Sequence, residues 1–113
     1  MSDIQKVYQI NLDYNGKHYC LEYTPDTIVQ METAGFSIGD IGDKPMSRIK
    51  QLWSGAFMAH HRKDLSSGIA EELYRKIGDK DGLIQKLAEM YNGTLAYLTD
   101  EDDEGNVEWT ATF

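Results

Sequence analysis

Three histidines and a single cysteine are the side chains of this sequence best suited to metal or acid–base chemistry. His60 and His61 are adjacent, and His18 lies two residues before Cys20. Adjacent helical residues point about 100° apart, so one zinc ion cannot readily use both His60 and His61. The zinc-peptidase arrangement, two histidines four residues apart with a glutamate between them, is absent. We therefore predict no metal site and no cofactor, with His60 as a hydrogen-bonded, partly buried residue on the apolar face of a helix.

The pair His18 and Cys20 raises the alternative of a base and a nucleophile, because side chains two apart on a strand share a face. A catalytic thiol needs an electropositive environment that favours the thiolate. Asp13 and Glu22, which lie close in sequence, have the opposite effect. We predict that the chain is not an enzyme. A small enzyme or metal protein built on the histidines and Cys20 is the least favoured of three hypotheses.

The length and composition predict one acidic domain over residues 1–113. Apolar residues make up 41% of the chain, enough for one modest core, and the formal net charge is −8. Nucleic-acid binders normally carry a basic face, so a nucleic-acid partner is not expected. A single cysteine excludes an internal disulfide and is typical of a reducing compartment. Without a signal peptide or a run of about 20 apolar residues, we expect a cytoplasmic protein with no membrane contact.

The N-terminal part, residues 7–23, has the pattern of a β-hairpin. Asn15-Gly16 is a strong signal for a type I′ turn, in which both positions need positive φ. This turn predicts a register with an apolar face, which pairs Leu12 with Tyr19, Ile10 with Leu21 and Tyr8 with Tyr23. The other face is largely polar and pairs Asp13 with His18, Asn11 with Cys20 and Gln9 with Glu22. A half-buried ribbon requires such a division.

The segment between residues 25 and 99 has the periodicity of about four helices. They are predicted over 25–35, 45–61, 67–77 and 81–99, with Thr24 capping the first and Ser66 or Ser67 capping the third. The helix over 45–61 begins with Pro45 and is the central core helix. Its apolar side comprises Met46, Ile49, Leu52, Trp53, Ala56, Phe57 and His60.

The C-terminal segment, residues 100–113, combines an acidic run with a strand pattern. Residues 100–104 are DEDDE, and apolar residues alternate from Val107 to Phe113. This alternation predicts a third strand that can join the hairpin. The fold class is therefore α+β, a hairpin packed on about four helices.

A candidate partner-binding surface lies on the central helix at Gly55 and Met58, which point away from the apolar side. A methionine beside a glycine offers an adaptable apolar contact. The alternative is that a neighbouring helix covers Met58, because small domains rarely leave helices one-sided.

Two runs of the sequence resemble small tail assembly chaperones of long-tailed bacteriophages and prophages, in particular a group from Firmicutes phages. They are YTPDTIVQMETAGFSIGDIGDKPMSRIKQLWSGAFMAHHRKDLS and LYRKIGDKDGLIQKLAEMYNGTLAYL. The resemblance implies a non-enzymatic role in the bacterial host cell: binding the tape-measure protein, so that it stays soluble until the tube assembles. The tail-tube protein is a second candidate partner. It supplies no active-site residues, and it leaves homo-oligomerisation open.

A different class of binding protein is the alternative to this function. The charge of −8 suggests an acidic inhibitor or DNA mimic that binds a host nucleic-acid-binding protein. Mimicry needs carboxylates in an ordered array, whereas much of the acid here lies in residues 100–104.

Overall fold

The chain has an α+β fold, as predicted, in a computed structural model that describes residues 9–96, 107–108 and 110–112. In order, the elements are β1 (Ile10–Tyr14), β2 (Lys17–Leu21), α1 (Pro25–Thr33), a 3₁₀ turn (Ile38–Asp40), α2 (Pro45–Ala56), α3 (Lys63–Ser66), α4 (Ile69–Lys76) and α5 (Lys80–Leu95).

The hairpin has the predicted register. Asn15 and Gly16 both have positive φ, +52° and +77°, as a type I′ turn requires. The observed pairs are Ile10 with Leu21, Asn11 with Cys20, Leu12 with Tyr19, Asp13 with His18 and Tyr14 with Lys17. Tyr19 and Leu21 are buried, so the apolar face of the ribbon lies on the helices. The predicted pair of Tyr8 with Tyr23 lies outside the described residues.

The predicted third strand is not formed where the structure describes that segment. Residues 107–108 and 110–112 have no regular structure, and Val107 is 84% exposed. The sheet of the described part therefore has two strands. The described part does not include residues 97–99 of the last predicted helix, the acidic run, Trp109 or Phe113.

Local signals define both ends of α1. Thr24 and Thr27 form a reciprocal capping box at its start, with Pro25 in the first position. At its end Gly35 has φ +97°, and the Phe36 N–H donates to the Met31 carbonyl. This left-handed cap turns the chain back, and Phe36 is buried in the core.

Helix α2 ends at Ala56, so the prediction that it continues to His61 is wrong. In a continued helix the Ala56 carbonyl would accept the N–H of His60. It instead accepts the N–H of Glu22, from the segment after β2, at 3.2 Å. Residues 57–60 form turns, and His60 is consequently exposed rather than partly buried. Met46, also assigned to the apolar side, is 89% exposed.

The start of α4 also differs from the prediction. Gly68, with φ +84°, occupies its N-cap position and has no side chain with which to cap the helix. The hydroxyls of Ser66 and Ser67 donate instead to carbonyls of the short α3, those of Lys63 and Asp64. The serines therefore end α3 rather than begin α4. By contrast, α5 runs uninterrupted through Gly93, as predicted.

Helices α1 and α2 meet at Gly55, which is buried. The Met31 side chain lies directly over the Gly55 Cα, and a Cβ at this position would overlap its Sδ and Cε atoms. The prediction that Gly55 points away from the core is therefore wrong. A partner cannot contact this residue while Met31 covers it.

Replacing Gly55 with valine should destabilise the fold, because the added side chain must displace the buried Met31. We expect a loss of about 1–3 kcal/mol in the free energy of unfolding, as is typical of overpacking. Urea unfolding followed by circular dichroism measures it. Gly78→Val is the control, since a Cβ at Gly78 meets no atom of the described residues within 4 Å. Equal stability of the two variants would contradict the close approach at Gly55.

Candidate functional site

An open apolar groove of about 400 Å³ lies between α2 and α4. We call it the α2–α4 groove; its lining residues are Pro45, Met46, Ile49, Lys50, Trp53, Ser54, Glu71, Tyr74 and Arg75. The Trp53 indole N–H donates to the Ala70 carbonyl at 2.8 Å, and the Trp53 and Tyr74 rings are 5.4 Å apart. These two contacts hold α4 beside α2 and so shape the groove.

The rim of the α2–α4 groove is charged and exposed. Lys50 and Glu71 form an ion pair across it at 3.1 Å, and their side chains are 67% and 61% exposed. An exposed pair of this kind contributes about 1 kcal/mol or less to stability. The pair therefore gives the rim a charge pattern and leaves the apolar lining open to a ligand.

A smaller groove of about 190 Å³ lies on the other side of α2. We call it the α1–α2 groove, and Met31, Ala34, Phe36, Lys50, Gln51, Ser54 and Met58 line it. Met58 is half-buried here. It is therefore neither fully open to a partner nor fully covered by a neighbouring helix, the two alternatives that the sequence left open. Lys50 and Ser54 line both grooves, so these two residues form a ridge with apolar surface on each side. That Met58 binds a partner stays a prediction.

Three side chains that can ligate a metal come together beside the hairpin. Ligand atoms of Cys20, Glu22 and His60 all lie within 4.8 Å of one another, and the His60 Nε2 is 3.2 Å from the Glu22 Oε1. Strand alternation places Cys20 and Glu22 on one face, which the sequence did indicate. The sequence does not indicate that His60 joins Cys20 and Glu22, because the pattern predicts His60 on a continuous helix.

The other two histidines have different partners. His61 Nε2 is 3.0 Å from the backbone N of Cys20 and accepts its hydrogen bond, so Nδ1 carries the proton of the neutral ring. Burial lowers the pKa of His61, and the Lys17 charge adds to this effect. His18 contacts Asp13 at 2.8 Å and Asn11 at 3.1 Å. His18 is therefore engaged along the hairpin rather than with the Cys20 thiol.

The whole chain, residues 1–113, matches the family described as Domain of unknown function (DUF5055). No curated protein and no solved structure matches the chain. Among the helices of the described part, none is long and apolar enough to cross a membrane.

The Cys20 thiol is held in its protonated form at neutral pH. Partial burial raises its pKa above the ordinary value of 9.0, and the Glu22 carboxylate raises it further. Since the thiolate is the reactive species, this environment suppresses nucleophilic chemistry.

Substituting Glu22→Gln should speed the alkylation of Cys20 by iodoacetamide. Loss of the carboxylate charge lowers the thiol pKa, so at any pH below that pKa a larger fraction is thiolate. Mass spectrometry measures the rate at pH 7 with a chelator present. Glu32→Gln, an exposed change on α1, is the matched control and should leave the rate unchanged. A slower or equal rate in the Glu22→Gln variant would contradict this electrostatic effect.

Proposed function

The chain belongs to the family described as Domain of unknown function (DUF5055), and from this premise we propose that it is a non-enzymatic tail assembly chaperone of a bacteriophage or prophage. Its partner is the tape-measure protein, whose helical segments it keeps soluble until tail-tube subunits assemble around them. The resemblance of the sequence to such chaperones suggests the partner. The α2–α4 groove is the observation that carries the proposal.

The α2–α4 groove has the chemistry of a helix-binding surface. Its interior is formed by apolar and aromatic side chains, principally Ile49, Trp53 and Tyr74, and its rim is charged. Amphipathic helices bind such grooves through apolar residues spaced three and four apart. Met46, 89% exposed at one end, can adapt to different apolar side chains. A chaperone for a long helical protein needs this tolerance of sequence.

The length of α2 suits a short helical segment. From Met46 to Ala56 the helix rises about 15 Å, which equals about three turns of a bound helix. A partner helix lying along the ridge of Lys50 and Ser54 can place apolar residues in the α2–α4 groove and contact Met58 in the α1–α2 groove. We therefore assign the candidate binding surface to the outer face of α2, including Met58 but not Gly55.

Net charge supports a binding role without selecting the partner. A charge of −8 keeps the chain soluble while it presents apolar grooves, and it favours encounters with basic segments. Several carboxylates that a DNA mimic would need are paired within the chain: Lys17 with Asp64, Lys50 with Glu71 and Lys86 with Glu89. Nothing in the described part favours the DNA-mimic alternative over the chaperone.

Introducing a charge at the groove should abolish chaperoning. When the chain is co-expressed with the tape-measure protein of the same phage or prophage, we expect the latter to remain soluble and to co-purify. In Met46→Glu and Ile49→Glu variants the affinity should fall about tenfold or more, which corresponds to at least about 1.4 kcal/mol of binding free energy, and less tape-measure protein should co-purify. Quantitative gel densitometry of the purified complex measures this.

Val29→Glu is the matched control for the co-expression experiment. Val29 is 61% exposed on α1 and lines neither groove, so the same apolar-to-acidic change should leave binding intact. An insoluble, unbound tape-measure protein with the unmodified chain would refute the chaperone function. Equal losses in the Val29 and Met46 variants would refute the groove as its site.

A further inference from the structure

The ending of α2 at Ala56 brings His60 to the polar face of the hairpin, beside Cys20 and Glu22. Their thiol, carboxylate and imidazole ligand atoms lie within 4.8 Å of one another. We propose that Cys20, Glu22 and His60 form a three-residue binding site for Zn²⁺. This site is separate from both grooves, since none of its residues lines them.

Two hydrogen bonds fix the backbones that carry the ligands. The Glu22 N–H donates to the Ala56 carbonyl at 3.2 Å, and the Cys20 N–H donates to His61 Nε2 at 3.0 Å. They join the segment that supplies Cys20 and Glu22 to the turn that supplies His60. The cluster is thus a product of tertiary contacts rather than a chance meeting of mobile side chains. His61 positions the site and is not itself a ligand, because its Nε2 lone pair is already engaged.

The set of donor atoms selects the kind of ion. Sulfur, nitrogen and one carboxylate oxygen suit Zn²⁺, whereas Mg²⁺ and Ca²⁺ prefer oxygen ligands throughout. In a tetrahedral zinc site the ligand atoms are about 3.3–3.8 Å apart, given bond lengths of about 2.0–2.3 Å. Closing the cluster therefore needs a movement of about 1 Å, which rotation of the His60 side chain, 47% exposed, can supply.

An outer contact already orients one ligand. Gln9 Nε2 donates to Glu22 Oε2 at 2.8 Å, so the other oxygen, Oε1, is the one directed at His60. Contacts of this kind fix ligand orientation in metal sites. Three protein ligands leave a fourth coordination position, which water or a side chain of a partner can take. Bound Zn²⁺ would cross-link the hairpin to the turn after α2.

Titration of the untagged, chelator-treated protein tests this site. We expect Co²⁺, used as a spectroscopic probe for Zn²⁺, to bind one ion per chain with a thiolate-to-cobalt charge-transfer band, and Zn²⁺ to displace it. Cys20→Ser should lose the band. Glu22→Gln and His60→Ala should each weaken Zn²⁺ binding about tenfold or more in calorimetry.

His18→Ala is the matched control, because His18 shares the polar face of the hairpin but is engaged with Asp13 and Asn11. It should bind Zn²⁺ as the unmodified chain does. Zn²⁺ should also raise the unfolding temperature of the unmodified chain and of His18→Ala, but not that of Cys20→Ser. The site is refuted if no ion binds stoichiometrically, if Cys20→Ser retains the affinity, or if His18→Ala loses as much as His60→Ala.

Discussion

Both candidate sites depend on a row of aromatic contacts through Trp53 and Phe57. The two rings are 5.0 Å apart, with Tyr74 beyond Trp53 and Tyr19 beyond Phe57. At one end these ring contacts position α4, which forms one wall of the α2–α4 groove. At the other end they pack β2 against α2, and the Tyr19 ring lies 5.1 Å from His61. Aromatic pairs of this kind contribute about 0.5–1.5 kcal/mol each beyond their buried area.

Features set by local chemistry could be predicted from the sequence. The two-residue turn Asn15-Gly16 and the alternation around it determine the hairpin register, because positive φ and a half-buried face each allow few solutions. Thr24 and Gly35 likewise define the ends of α1 through hydrogen bonds to residues three to five positions away. The hairpin register and the ends of α1 each depend on a short stretch of sequence, so the residue types in that stretch are enough to predict them.

Features set by contacts between distant segments could not be predicted. The end of α2 depends on a hydrogen bond between Glu22 and Ala56, and no periodicity within the helix reports it. The burial of Gly55 depends on the position of Met31 on another helix. Without these contacts, the sequence pattern predicts the wrong place for two candidate residues: His60 on the apolar side of a helix and Gly55 on an open surface. The Cys20–Glu22–His60 cluster follows from the same distant contact.

The bond between Glu22 and Ala56 has a further consequence for self-association. A two-stranded sheet exposes backbone donors along its outer edge, and such an edge can recruit strands from other chains. Here the His61 ring accepts the N–H of Cys20 on the outer edge of β2, and the Ala56 carbonyl accepts the N–H of Glu22 just after the strand. This stretch of β2 is therefore closed to strand addition, a common route to amyloid-like aggregation. In this stretch of the hairpin, the backbone contact that ends α2 therefore also protects the sheet edge from pairing with other chains.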